Sequence, residues 1–216
     1  MSLNDKEKRT RTVLPESQRR EDILQAALKI FVKNGYHQSK MSDIAALAGV
    51  AHGTVYRYFP NKKNLAIELI GIIGGAGASG FMESAKDGSL EKLCPKDFLC
   101  LIGKKYLGNL KQRVPLIRFA HSESSYNTAF GKEYFIRVRH RLFENIAVYF
   151  KKFQDKKLIK KGDPYVYAQI FYNMLHGFLY NQEILHAKNV KPLAMDKVIN
   201  EIVDIFLHGI ATEDAP

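Results

Sequence analysis

A chain of 216 residues with a hydrophobic fraction of 46% has room for one large or two small domains around a buried core. Its 33 Lys and Arg outweigh 22 Asp and Glu by a formal +11, which favours a polyanion as partner: nucleic acid, an acidic membrane surface or an acidic protein. Residues 1–63 hold 12 basic and 6 acidic side chains, so more than half of the excess lies in under a third of the chain and marks that end as the polyanion-binding one.

Residues 1–14 are polar and basic, with Lys6, Lys8, Arg9 and Arg11. They read as a disordered tail, either solvated or reaching into a DNA minor groove. The opening twenty residues lack the apolar stretch of a secretory signal. From Glu16 to Asn34, Ile23, Ala27 and Ile30 alternate with Leu24, Leu28 and Phe31 at spacings of three and four, which predicts a helix. Gly35 follows as a left-handed C′ residue, and Tyr36 is placed to fold back on Phe31. A short helix over about 41–48 turns inward with Ile44, Ala45 and Ala48. Gly49 makes the turn, and a second short helix over about 52–59 buries Val55 and Phe59. Two short helices about a glycine turn make a helix-turn-helix. Asn61 is an N-cap for a fourth helix. Lys62 and Lys63 in its first turn oppose the helix dipole. That is a small penalty if they point into water, and a phosphate clamp if they meet DNA.

The apolar run Leu69 to Met82 is too short to span a bilayer. It contains Gly71, Gly74, Gly75, Gly77 and Gly80, which reads either as a hinge or ligand space, or as close packing against a large neighbour. Cys94 and Cys100 fit neither a C-x-x-C motif nor a zinc site and read as reduced, small apolar residues. Further helices are predicted after Cys94-Pro95, around RVPLIRFAHSE, from about 128 to 157, from Asp163-Pro164 to about 186, and from 195 to 210. The total is about nine, an all-α chain. No nucleotide-binding, hydrolase or metalloprotease motif occurs, and the seven histidines do not cluster at metal-ligand spacing. No enzyme activity, cofactor or metal is therefore expected.

The stretch SDIAALAGVAHGTVYRYFPNKKNL closely resembles the DNA-binding signature of the TetR family of bacterial transcriptional regulators. Ile44, Ala45, Ala48, Gly49, Val50, Gly53, Thr54, Val55, Tyr56, Tyr58, Phe59, Lys62 and Leu65 carry the likeness. It covers about residues 16–70. It implies a cytoplasmic homodimer on palindromic double-stranded DNA, usually a repressor, released by a small-molecule effector. The alternative is a helical small-molecule-binding or adaptor protein that has lost DNA binding. Three regions are implied: the basic tail 1–14, a helix-turn-helix domain 15–63, and a larger effector and dimerisation domain 64–216.

The implied DNA-binding set is Lys40, Ser42, His52, Gly53, Thr54, Tyr56, Arg57, Tyr58, Lys62 and Lys63. Thr54, Tyr56 and Tyr58 stand at phosphate positions, and His52, Gly53 and Arg57 at base edges. Arg57 either pairs with guanine or binds a phosphate. Ala51 and Lys40 depart from the pattern, since Ser or Thr often caps the helices there. Ser39 or Ser42 is the candidate substitute cap. For an unidentified, largely apolar effector the candidates are Phe119, His121, Tyr134, Asn173 and His176. For the dimer interface they are Tyr172, Leu175, Leu179, Val198, Ile202, Ile205 and Gly209, on two helices with apolar seams.

Overall fold

The computed structural model describes residues 15–71, 89–108 and 110–210. The tail 1–14 and the glycines at 74, 75, 77 and 80 lie outside them. Among the described residues there are helices and no strand.

Helix α1 (Glu16–Gln38) buries Ile23, Leu24, Ala27 and Phe31, the stripe that the spacing predicts. Its regular course breaks at Gly35, whose φ of +73° is open to a residue without Cβ. The chain then doubles back, and the Tyr36 ring lies 5.6 Å from that of Phe31. Ser39 is buried and donates to the Gly35 carbonyl at 2.6 Å, while the Ser42 hydroxyl donates to its neighbour Asp43 at 3.3 Å. Neither serine therefore caps α2 (Met41–Leu47), which starts without a side-chain cap at Lys40. Gly49, at φ +67°, turns the chain into α3 (His52–Tyr58), which is likewise uncapped at Ala51. Asn61 accepts from the Asn64 amide at 2.9 Å and opens α4, helical over residues 62–71.

The larger domain begins, in the described residues, with a 3-10 turn (Ser89–Lys92) and α5 (Pro95–Leu107). Cys94 is exposed, and its sulfur accepts from the Asp97 amide at 3.4 Å. It caps the helix through its sulfur, a polar role beyond the small apolar residue expected. Helix α6 (Leu110–Tyr126) contains Pro115. The long helix expected over 128–157 is three pieces: α7 (Thr128–Tyr134), a π-helical segment (Phe135–His140) and α8 (Arg141–Asp155). Helix α9 (Pro164–Leu179) is capped by Asp163, which accepts from the amides of Tyr165 at 2.8 Å and Val166 at 3.3 Å. A second π segment (Tyr180–Ile184) extends it, and His186 ends the run in the left-handed region at φ +59°. Helix α10 (Met195–Ile210) has the predicted span.

The core has two clusters. One is formed by α5, α8, α9 and α10, with Phe98, Phe143, Phe150, Phe171 and Phe206 at its centre. The other joins α1–α4 to Leu116, Phe119 and Ala120 of α6 and Phe130 of α7. A domain boundary at residue 63 thus cuts through packed residues, because Leu65 to Ile70 belong to the N-terminal cluster.

The dimer seams need correction. Tyr172, Leu175 and Leu179 of α9, and Val198 and Ile202 of α10, are buried within their own chain. At 3.6 residues per turn they merge with Ile199, Val203 and Phe206 into one broad inward face. Of the expected interface only Ile205, 63% exposed, and Gly209 remain outward. Val166, Ile170 and Phe178 form the exposed apolar side of α9, which was not foreseen.

Candidate functional site

Helices α2 and α3 present one polar face. Lys40, Ser42, His52, Gly53, Tyr56 and Arg57 are exposed, with Thr54 and Tyr58 partly so. The His52 and Tyr56 rings meet edge-on at 5.0 Å, and the Arg57 guanidinium lies 5.1 Å from the Tyr58 ring centre. A Cβ on Gly53 would meet nothing within 4 Å, so the backbone there is open to close approach. Beneath this face Val55 and Phe59 anchor α3 in the core. Residues at helix positions 52, 53, 56 and 57 are therefore held together on a rigid element, with aromatic, cationic and bare-backbone surface suited to a duplex groove.

The two lysines of α4 do not join that face. The Lys62 ammonium donates to the carbonyls of Tyr36 at 2.8 Å, His37 at 3.2 Å and Ser39 at 2.9 Å, and lies 4.4 Å from the Tyr36 ring centre. An ammonium has three donors, and all three are spent on the end of α1. Burial pushes its pKa down, and Glu123 partly offsets this. Lys63 points the other way, 3.7 Å from the Glu133 carboxylate and over the Phe130 ring at 5.5 Å. The expected pair of phosphate clamps is instead a clasp within the N-terminal domain and a tie to α7.

The effector candidates meet around a polar cluster inside the larger domain. His121 and His176 are stacked, with ring centres 5.0 Å apart and Nε2 atoms 2.8 Å apart. His176 Nδ1 lies 2.6 Å from the Tyr106 hydroxyl, which donates to the Tyr172 hydroxyl at 3.0 Å. One proton assignment satisfies these contacts: His176 donates from Nδ1 to Tyr106, and its bare Nε2 accepts from His121. Both imidazoles are neutral. Burial, then the charge of Arg139, lowers the pKa of His121, and burial, Arg139, His121 and Arg113 bring His176 down to about 3.

Arg139 completes the cluster. Its Nε donates to the Tyr134 hydroxyl at 3.3 Å, its Nη2 lies 3.3 Å from His176 Nε2, and its guanidinium carbon is 4.6 Å from the Tyr172 ring centre. Two cavities share Arg139 and Tyr134 as a common wall. The inner one, about 30 Å³, is lined by Ile70 of α4 together with Leu116, Val138 and His176. The outer one, about 240 Å³, is lined by His121, Ser124, Phe135, Phe143, Gln169 and Asn173 among others. Four of the five expected effector residues thus converge here. Phe119 does not: it is buried in the N-terminal cluster and stacked on Tyr36 with ring centres 3.6 Å apart.

Tyr106, Arg113 and Arg139 were not foreseen. Arg113 is buried and donates to the carbonyls of Tyr106 and Gly108, closing the end of α5. Among the described residues no group of three His, Cys, Asp or Glu is placed to hold a metal ion, and no helix is long and apolar enough to cross a membrane.

Comparison with known proteins bears on both sites. Residues 23–69 match the family model of bacterial regulatory proteins of the tetR family, and residues 99–209 match the C-terminal domain of AefR-like transcriptional repressors. The fatty acid metabolism regulator protein of Bacillus subtilis is 40% identical over 88 residues, which span 41% of this chain and 43% of that regulator's length. The HTH-type transcriptional regulator YvkB of the same organism is 25% identical over 198 residues, 88% of this chain and 96% of YvkB. In fold the chain is similar to Bacillus subtilis FadR crystallised with stearoyl-CoA, at a TM-score of 0.69 and 24% identity, over 88% of this chain and 98% of that one.

Proposed function

Since the chain belongs to the tetR family of bacterial regulatory proteins and is a ligand-responsive, DNA-binding transcriptional regulator, we propose that it acts as a cytoplasmic homodimeric repressor on a palindromic operator. Helix α3 enters the major groove. Thr54, Tyr56 and Tyr58 meet phosphates, while His52, Gly53 and Arg57 face base edges. The exposed polar face of α2 and α3 is the observation that carries this reading. Two such readers bind successive turns only when held about 34–36 Å apart. The exposed apolar side chains Val166 and Ile170 on α9 and Ile205 on α10 supply a surface for pairing.

The effector occupies the larger domain at the two cavities. Ile70 of α4 lines the inner one, and a Cβ on Gly71 would stand 4.0 Å from Val138 Cγ2, next to Arg139. A ligand that favours a displaced Arg139 therefore alters the contact with α4, the helix that follows the reader. It shifts the equilibrium only by its difference in affinity between the two conformations, and about 1–3 kcal/mol of coupling lowers operator affinity roughly 5–150-fold. The relative crystallised with stearoyl-CoA supports a ligand site in this fold.

The test is fluorescence anisotropy of labelled duplex DNA over a range of salt, followed by selection from a random duplex pool. The expected result is a steeply negative slope of log affinity on log salt, and a selected inverted repeat. A flat slope would refute DNA binding, and selected sites without two-fold symmetry would refute the dimer.

A further inference from the structure

Among the described residues no carboxylate pairs with the Arg139 guanidinium, and the nearby acids are engaged elsewhere: Glu133 with Lys63 and Arg137, Glu123 with His37, Glu144 with His140. The groups that do surround it are neutral: the Tyr134 hydroxyl, the Tyr172 ring and His176. Among the described residues two of its five N–H donors find a partner, both at the long distance of 3.3 Å. Arg113 is different, because backbone carbonyls satisfy it. A cation held among aromatic rings without a counter-ion is costly unless something supplies the negative charge.

The cavity beside it is built to receive such a group. Phe135, Phe143 and Ala120 give apolar wall, and Gln169 and Asn173 give amides. The Ser124 hydroxyl oxygen, shielded from solvent, has no hydrogen-bond partner among the described residues and lies on the same wall. A volume of about 240 Å³ is space for roughly eight waters, the size of a compact organic acid.

We propose that the effector is an organic anion, an apolar group ending in a carboxylate, whose acid docks on Arg139 and the Ser124 hydroxyl while its body lies against Phe135 and Phe143. This rests on the reading of the larger domain as the effector domain. Arg–carboxylate pairing is bidentate and charge-assisted, so the neutral amide of the same acid loses both the charge and the fit. Drawing Arg139 toward the outer cavity also drags Val138 away from α4, which links the anion to the reader.

The experiment is calorimetric titration of the full chain with straight-chain carboxylates from butyrate to decanoate and with phenylacetate. Each acid is matched with its amide, and the alkyl series also with its trimethylammonium analogue. At least one acid is expected to bind ten times more tightly than its amide and to lower the affinity for duplex DNA. Arg139→Met should abolish the difference between acid and amide, while Arg139→Lys retains part of it and Arg137→Met, at an exposed position, leaves it intact. Circular dichroism and DNA binding without ligand certify the fold of each variant. If no acid in the panel exceeds its amide, or if Arg139→Met keeps the preference, the assignment is overturned. DNA binding by the unliganded wild type is scored separately, so loss of the regulator reading shows there and not in the titration.

Discussion

At the scale of single residues, the larger domain is governed by how charge is handled in its interior. His176 sits among Tyr106, Tyr172, His121 and Arg139, and its pKa falls to about 3 through burial first and neighbouring cations second. An unfolded histidine keeps its ordinary value near 6.5, so between about pH 6.5 and 3 the unfolded chain binds a proton that the folded chain refuses. Stability from this group is complete above pH 6.5 and is lost as the pH falls, at about 1.4 kcal/mol per unit within that window. Chemical denaturation at pH 7.5 and pH 5.0 should show the wild type losing about 2 kcal/mol more than His176→Gln over that interval. Equal losses in the two proteins would mean that His176 is not held neutral. Lys62 illustrates the same economy on the surface of the smaller domain. Its position in the first turn of α4 looked unfavourable in the sequence, and the compensation is the trio of carbonyls left by α1 once Gly35 ends its regular course.

At the scale of elements, what could be read beforehand was whatever local periodicity and caps determine. The α1 stripe, the Gly35 break, the Tyr36 return, the Asn61 and Asp163 caps and the span of α10 all follow from neighbours within a few positions. The π segments do not, because a single extra residue per turn leaves no mark on composition. Phe135 and Ile136 are exposed while Arg139 turns toward the cluster, and Gln182 is buried while Leu185 is 61% exposed. Arg139 reaches the cluster through one of these segments and so carries no local signal, whereas His121, Tyr134, Asn173 and His176 could be picked out. The contacts of Lys62 and Lys63 were hidden for another reason: their partners lie more than twenty residues away, on α1 and α7. Gly103 was equally silent. A Cβ at that position of α5 would come within 2.8 Å of Ile199 Cγ2, at the crossing with α10. Gly103→Ala should therefore cost about 1–3 kcal/mol by overpacking, although alanine favours helix. Thermal denaturation that shows no loss would mean the crossing is looser than this spacing implies.

At the scale of the whole molecule, the question is what fixes the distance between two reading helices. The inward faces of α9 and α10 are used up in holding their own domain together. In the proposed dimer, pairing would fall to what remains outside, Val166 and Ile170 of α9 and Ile205 of α10. Gly177 and Gly209 add places where a Cβ would meet nothing within 4 Å and another helix has room to come near. Ile205→Asp leaves the interior untouched and places a charge on that face. It should yield a folded monomer by sedimentation, with a roughly 10-fold or greater loss of affinity for a two-half-site duplex, a change of about 1.4 kcal/mol or more. A variant that remains dimeric would move the interface off α10.

The shared packing of α1–α4 with α6 and α7 has a practical side. Tyr36 against Phe119, Lys63 against Glu133 and Phe130 in the first four helices' own interior mean that the reader is not a detachable cartridge. Grafting residues 15–63 onto a relative's sensor, or expressing them alone, would strip the underside of the head. A working hybrid has to carry both sides of that seam from the same parent.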